Sequence, residues 1–277
     1  MKRPNMNWRG IRAIVRKDWR VVRENKGVAI PMLVIPLCVL VFLPALSAFA
    51  PILWDLPPST FDGLDVLVEA MPAFLRPEFA QYNEVQVLVV LSLVYFSAPM
   101  YLVLPQMVAS VIAADSFAGE KERKTLEALL HTPTTDGELL LAKLLSAWLP
   151  AIGVAWAGII LYAIVVNLAA WQTMGRIFFP NPMWVVLALW VAPAVAGLGL
   201  SATVLISSRA KGFQDAYQLG VIVVLPVLLL AVAQMSGAVF LDVWLVALLG
   251  LILWTLDAVL LGLGARTFRR EVLTLRL

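Results

Sequence analysis

Residues 115–145, DSFAGEKERKTLEALLHTPTTDGELLLAKLL, form a charged segment between two long apolar runs, at 86–113 and 141–169. Each run has the ~20 residues that a helix needs to cross ~30 Å of hydrocarbon. Four more runs of this kind lie at 27–50, 183–207, 216–236 and 243–264. The composition agrees, because 61% of the 277 residues are hydrophobic and only 14% are charged. The sequence therefore predicts an all-α polytopic membrane protein with six transmembrane helices.

The basic residues predict its orientation. If both termini are cytoplasmic, 19 of the 21 Lys and Arg residues lie on the cytoplasmic side, and only Arg76 and Arg176 fall outside. Positively charged loops stay in the cytoplasm, so this orientation is favoured over its inverse. The basic pI of 9.1 then follows from membrane topology, and we expect no nucleic-acid partner.

Residues 1–26 are expected to form a cytoplasmic interfacial helix ahead of the first span. An apolar stripe and an arginine stripe recur along it at steps of three and four. The stripes consist of Trp8, Ile11, Val15, Trp19 and Val22, and of Arg9, Arg12, Arg16, Arg20 and Arg23. Such a helix lies among lipid headgroups, although packing on a protein partner remains an alternative.

The other segments complete a single transmembrane domain over 1–277. The external loop at 51–84 is acidic, but it has no metal-ligand spacing, and we expect no metal site there. A short helix beginning near Asp62 should end before Pro72. Residues 114–140 form the cytoplasmic segment between spans two and three, and residues 265–277 form a cytoplasmic tail.

Local physics predicts a short exposed helix within 115–145. Glu120, Lys124, Glu127 and His131 share one side of it, and Pro133 should end it. Thr135 and Glu138 then fit a capping box, which places the start of the third span directly afterwards. These features fit two interpretations. One is a rigid helix that transmits force directly to spans two and three, and the other is an ordinary interfacial helix that rests on the bilayer.

The run Gly119-Glu120-Lys121-Glu122-Arg123-Lys124-Thr125-Leu126-Glu127-Ala128-Leu129-Leu130-His131-Thr132-Pro133 resembles the cytoplasmic motif of the type-2 ATP-binding-cassette (ABC) exporter permeases. The family pattern is approximately GEKExxTLExLLxTP, and every fixed position matches. The motif lies between spans two and three, as in the family. Only about 237–242 separates spans five and six, so the re-entrant hairpin of some branches is not expected here.

The resemblance implies a coupling helix that docks on a cytoplasmic ABC ATPase subunit. The positions that carry over as contact or shaping residues are Glu120, Glu122, Thr125, Leu126, Glu127, Leu130 and Pro133. It also implies a second permease copy, identical or related, in the plasma membrane of a bacterium or archaeon. This chain has no phosphate-binding loop, so ATP and Mg²⁺ are expected on the partner ATPase, with no cofactor and no catalytic residue here. The cargo, whether lipid, drug, antibiotic or ion, is not readable from the sequence.

Asp257 is the one acid deep within an apolar run. A charge at that depth is costly, so the side chain should face protein or water. Two roles fit this position: a contact with cargo or a cation or a gating hydrogen bond, and a protonated or hydrogen-bonded packing residue. Two other classes of function therefore stay open: an ion-coupled secondary transporter that uses Asp257, and a membrane scaffold that transports nothing.

Overall fold

The computed structural model describes residues 6–53, 64–73, 75–123, 134–207, 210 and 212–267. All regular structure in these residues is helical, and six helices are long and apolar enough to cross a membrane. The predicted fold class is therefore confirmed. An additional helix, α1 (Trp8–Glu24), precedes the first span.

The six spans follow in chain order, several of them interrupted by π-helical or 3₁₀ turns. Their bounds are Lys26–Leu37, Cys38–Phe42 and Leu43–Leu53 for span 1; Glu84–Val90, Leu91–Phe96, Ser97–Ala114, Asp115–Gly119 and Glu120–Glu122 for span 2; Asp136–Ala169 for span 3; Pro182–Val186, Leu187–Val191 and Ala192–Ser207 for span 4; Phe213–Val221, Ile222–Val224 and Leu225–Met235 for span 5; and Val243–Thr267 for span 6. Short helices at Leu64–Ala70, Arg76–Phe79 and Trp171–Met174 lie between the spans.

Spans 2 and 4 form the centre of the bundle. In their most apolar stretches 67% and 72% of residues are buried, against 22%, 22% and 17% in spans 1, 5 and 6. Small residues allow this close approach. Gly197 lies against span 6, and Gly199 lies against span 2. The apolar side chains of spans 1, 5 and 6 point largely outward, as suits helices in lipid.

Buried aromatic side chains close the core at the end of the bundle away from α1. The Trp184 ring stacks on Tyr162 at 5.2 Å and meets Tyr101 and Phe179 at 5.3 and 4.9 Å. The Trp184 indole N–H donates to the Val94 carbonyl at 2.7 Å. A buried indole therefore keeps its hydrogen bond while it fills the core.

Helix α1 exists as predicted, but its buried face differs from the predicted stripe. The buried side chains are Ile11, Ile14, Asp18 and Val22, whereas Trp8 and Trp19 are 53% and 45% exposed. The helix packs on span 3, and that contact selects the face. An acid lies within it because span 3 and span 2 supply hydroxyl partners, described below.

Two of the connections at the end of the bundle away from α1 agree with the sequence. A helix runs from Leu64 to Ala70, just ahead of Pro72, although Asp62 lies outside the described residues. Residues 236–242 join spans 5 and 6 without a helix, so no re-entrant hairpin is present there.

Candidate functional site at the α1 end of the bundle

The charged segment begins inside span 2 instead of after it. The helix continues through the π-helical turn Asp115–Gly119 and ends at Glu122, and residues 112–120 are all buried. The expectation of an exposed helix is therefore wrong for 115–120. These residues pack against the surrounding helices, and their charges are paired internally.

Glu120 is the centre of this network. Only 3% of its surface is exposed, and its two carboxylate oxygens bind different lysines. Lys143 of span 3, itself fully buried, donates to Oε2 at 2.5 Å, and Lys17 of α1 donates to Oε1. Lys143 also donates to the Ser116 carbonyl at 2.6 Å. One carboxylate thus joins span 2 to both α1 and span 3, with the paired geometry that buried charges require.

The Lys17 ammonium is half-exposed, and two opposing effects act on it. Its burial would lower the pKa of Lys17, but the hydrogen bond and charge of Glu120, together with Asp18, raise the pKa above its ordinary value. The Lys17 ammonium group is therefore charged at neutral pH.

Asp18 forms a second link between the same three helices. The hydroxyls of Ser116 in span 2 and Ser146 in span 3 both donate to its Oδ2 at 3.0 Å. Asp18 is only 4% exposed, so these hydroxyls replace the water that a surface carboxylate would bind.

Two further contacts hold the end of span 2, one within that end and one to the start of span 5. Arg123 donates to Asp115 Oδ1 at 3.0 Å, and this hydrogen bond raises the pKa of Arg123. The Phe213 amide donates to Glu122 Oε2 at 2.9 Å, so Glu122 satisfies a free N–H at the start of span 5. A Cβ at Gly212 would overlap the Glu122 carboxylate and would therefore move it away from the Phe213 amide.

The capping box that begins span 3 is confirmed, and it also binds the chain before α1. The Glu138 amide donates to Thr135 Oγ1 at 3.3 Å, and the Thr135 amide donates to Glu138 Oε2 at 2.9 Å. The Asn7 amide donates to the other oxygen, Oε1, at 2.6 Å. The start of α1 and the start of span 3 therefore share one carboxylate.

A proline in span 3 leaves a backbone carbonyl free to accept a hydrogen bond from α1. Pro150 has no N–H, so the Ser146 carbonyl four residues earlier has no helical donor. The Trp19 indole N–H donates to that carbonyl at 2.9 Å. An exposed tryptophan ring is thereby held against span 3 at a fixed angle.

Of the predicted docking residues, the structure describes Glu120 and Glu122. It brings them to one end of the bundle, Glu120 buried and Glu122 exposed. The other five, Thr125, Leu126, Glu127, Leu130 and Pro133, lie outside the described residues. An ATPase contact by any of the seven stays a prediction.

Sequence reasoning missed Lys17, Asp18 and Lys143 as members of the network. Two signals were present in the sequence. Asp18 interrupts the apolar face of α1, and Lys143 is a single cation within the apolar stretch LLLAKLLSAW. Charges at apolar positions indicate a buried partner, but they do not identify it.

Asp257 faces protein, as expected for an acid at that depth. Its side chain is 2% exposed and packs against Gly197 of span 4. The Ser201 hydroxyl lies 3.5 Å from Oδ1, while Oδ2 has no hydrogen-bond partner among the described residues. A packing role and a contact with cargo or a cation both fit this arrangement.

The variant Asp257→Asn separates these two roles. The amide has the shape of the carboxylate and can still accept from Ser201, so we expect the protein to fold and to resist heating as before. A carboxylate that handles cargo or protons predicts altered transport or an altered pH dependence in reconstituted vesicles. Unchanged transport with an unchanged pH profile would assign Asp257 to packing. The control is Thr255→Val, an exposed change on the same helix.

No match was found among curated proteins or among solved structures. A family model described as "ABC-2 family transporter protein" matches residues 12–245, which include α1 from Arg12 onward, the buried network, spans 1 to 5 and the start of span 6. The chain belongs to the ABC-2 family of membrane transport proteins.

Proposed function

We propose that this chain is the permease subunit of an ATP-driven exporter. A separate cytoplasmic ATPase would hold ATP and Mg²⁺ and dock on the segment 119–133. A second permease copy, identical or related, would complete the pathway for a lipid, drug, antibiotic or ion. Both termini would be cytoplasmic in a plasma membrane, as the distribution of basic residues indicates.

The observation that carries the proposal is the connection of the docking motif to four helices. The motif begins at the end of span 2, where Glu120 binds Lys17 of α1 and Lys143 of span 3. Glu122 binds the start of span 5, and the capping box at Thr135 begins span 3 where the motif ends. A displacement of 119–133 would therefore move these helices together, since packed and ion-paired elements shift as units.

Substitutions in the motif test the proposal. In cells that also produce a candidate ATPase, Leu126→Arg or Glu127→Lys should abolish co-purification of the two subunits and ATP-dependent transport. A charge in place of an apolar docking residue, or a reversed charge, costs several kcal/mol when desolvated. Membrane levels of the variants should match the original protein.

The matched control is Glu69→Lys, a charge reversal on an exposed side chain of the 51–84 loop. It should leave both subunit binding and transport intact. An intact, active complex with Leu126→Arg and Glu127→Lys would overturn the proposed docking site.

A second candidate function rests on Oδ2 of Asp257, which has no hydrogen-bond partner within the described ranges of the chain. An ion-coupled transporter that uses this carboxylate would work without an ATPase and would need a proton or sodium gradient. Transport by the purified chain alone in vesicles, driven by an imposed gradient, would favour it. A scaffold, the remaining alternative, would form complexes but transport nothing.

A further inference from the structure

A groove lies between α1, span 1 and span 3. It is lined by none of the ion-paired residues Lys17, Asp18, Glu120 and Lys143. Its volume is about 760 Å³. Met32 and Leu33 of span 1 line one side, and Leu149 and Val154 of span 3 line the other. Gly153 widens it, because a side chain at that position would meet no atom within 4 Å.

Three arginine side chains of α1 line one wall of this apolar groove. Arg16, Arg20 and Arg23 line it from α1, and their spacing of four and three residues places them on one helical face. All three are exposed, and none has a carboxylate within 4 Å in the part of the chain that the structure describes. The groove therefore combines an apolar floor with uncompensated positive charge on one wall.

We propose that this groove binds one anionic phospholipid from the leaflet in which α1 lies. The acyl chains would occupy the floor between spans 1 and 3, and the phosphate would contact the three guanidinium groups, which bind phosphate oxygens well. Trp19, fixed by its bond to the Ser146 carbonyl, would border the headgroup. The site is independent of the proposed ATPase.

Charge favours a lipid over the other segments that might cover the groove. The C-terminal tail at 265–277 carries four arginines and one glutamate, so the three arginines would repel it. An anionic phospholipid supplies both the negative charge and the apolar bulk.

The test is native mass spectrometry of the full chain in a non-ionic detergent. Phosphatidylglycerol and phosphatidylcholine with identical acyl chains are added separately. We expect one retained phosphatidylglycerol, bound at least about tenfold more tightly than phosphatidylcholine. Equal binding of the two lipids would overturn the proposal. Displacement by excess glycerol 3-phosphate would also overturn it, since the site would then bind free phosphate.

Two pairs of variants locate the site. Gly153→Leu should fill the groove and abolish retention, whereas Gly262→Leu, also in open space but outside the groove, should not. The triple change Arg16→Gln, Arg20→Gln and Arg23→Gln should weaken retention by at least about tenfold. Arg9→Gln with Arg12→Gln, on the same helix but outside the groove, should weaken it far less.

Unchanged heat resistance of each variant shows that the fold is kept. Retention by Gly153→Leu equal to that by Gly262→Leu would overturn the proposal. So would a disulfide between two copies through Gly153→Cys in a Cys38→Ser background, because a second chain would then occupy the groove.

Discussion

Replacing Lys143 with methionine is expected to lower the free energy of unfolding by about 3–5 kcal/mol. Methionine keeps much of the volume but removes the ammonium that binds Glu120 and the Ser116 carbonyl. Glu120 would remain buried without the ammonium group that contacts its Oε2. The free energy would be measured by denaturant unfolding of the detergent-solubilised protein, followed through its fluorescence.

The matched control is Lys121→Met, a neighbouring lysine that is not fully buried and makes no ion pair within the described residues. It should change the free energy of unfolding by less than about 0.5 kcal/mol. The double variant Glu120→Gln with Lys143→Met should recover much of the loss. No unpaired buried charge would then remain, because Lys17 is 42% exposed and water can solvate it.

Additive losses in this double-mutant cycle would contradict the pairing, since residues in direct contact are expected to couple. A coupled pair would support the role of Glu120 as the joint between span 2 and span 3. The effect of the Glu120–Lys143 pair on transport could then be tested apart from ATPase docking, because Lys143 lies outside the motif at 119–133.

Gly199→Leu is expected to destabilise the protein by about 3 kcal/mol or more, at the upper end of overpacking effects. An ideal Cβ at Gly199 would lie 2.8 Å from both the Gln106 carbonyl oxygen and Ser110 Oγ. The carbonyl belongs to the backbone of span 2 and cannot rotate away. Spans 2 and 4, the two most buried helices, would have to separate, and the unfolding temperature should fall sharply.

Gly262→Leu is again the control, because a side chain there meets nothing within 4 Å. It should be neutral or slightly stabilising, since leucine favours a helix by up to ~1 kcal/mol over glycine. Equal unfolding temperatures for Gly199→Leu and Gly262→Leu would mean that spans 2 and 4 do not approach as closely as described.

Local patterns in the sequence predicted much of the fold. The spans followed from the length of the apolar runs, and the capping box at Thr135 followed from the spacing of a hydroxyl and a carboxylate. The existence of α1 followed from helical periodicity. Its buried face did not, because Trp8 and Trp19 are as apolar as Ile11, Ile14 and Val22, and how deeply each side chain is buried depends on how α1 packs against span 3.

The candidate site was only partly predictable for the same reason. The motif at 119–133 drew attention to Glu120 as a surface residue, yet Glu120 is buried against Lys17 and Lys143. These partners lie 103 and 23 residues away along the chain. No periodicity relates them, so no pattern within one helix could have paired them.

The sequence by itself determined the class of this protein: six apolar helices, an amphipathic helix before them, and a charged motif between the second and third. These features depend on hydrophobic length and on neighbours within one or two helical turns. The tertiary structure alone decided which charges are buried together and where α1 leaves an open groove. Both depend on how helices distant in the chain approach each other, and close packing of spans 2, 3 and 4 sets that approach.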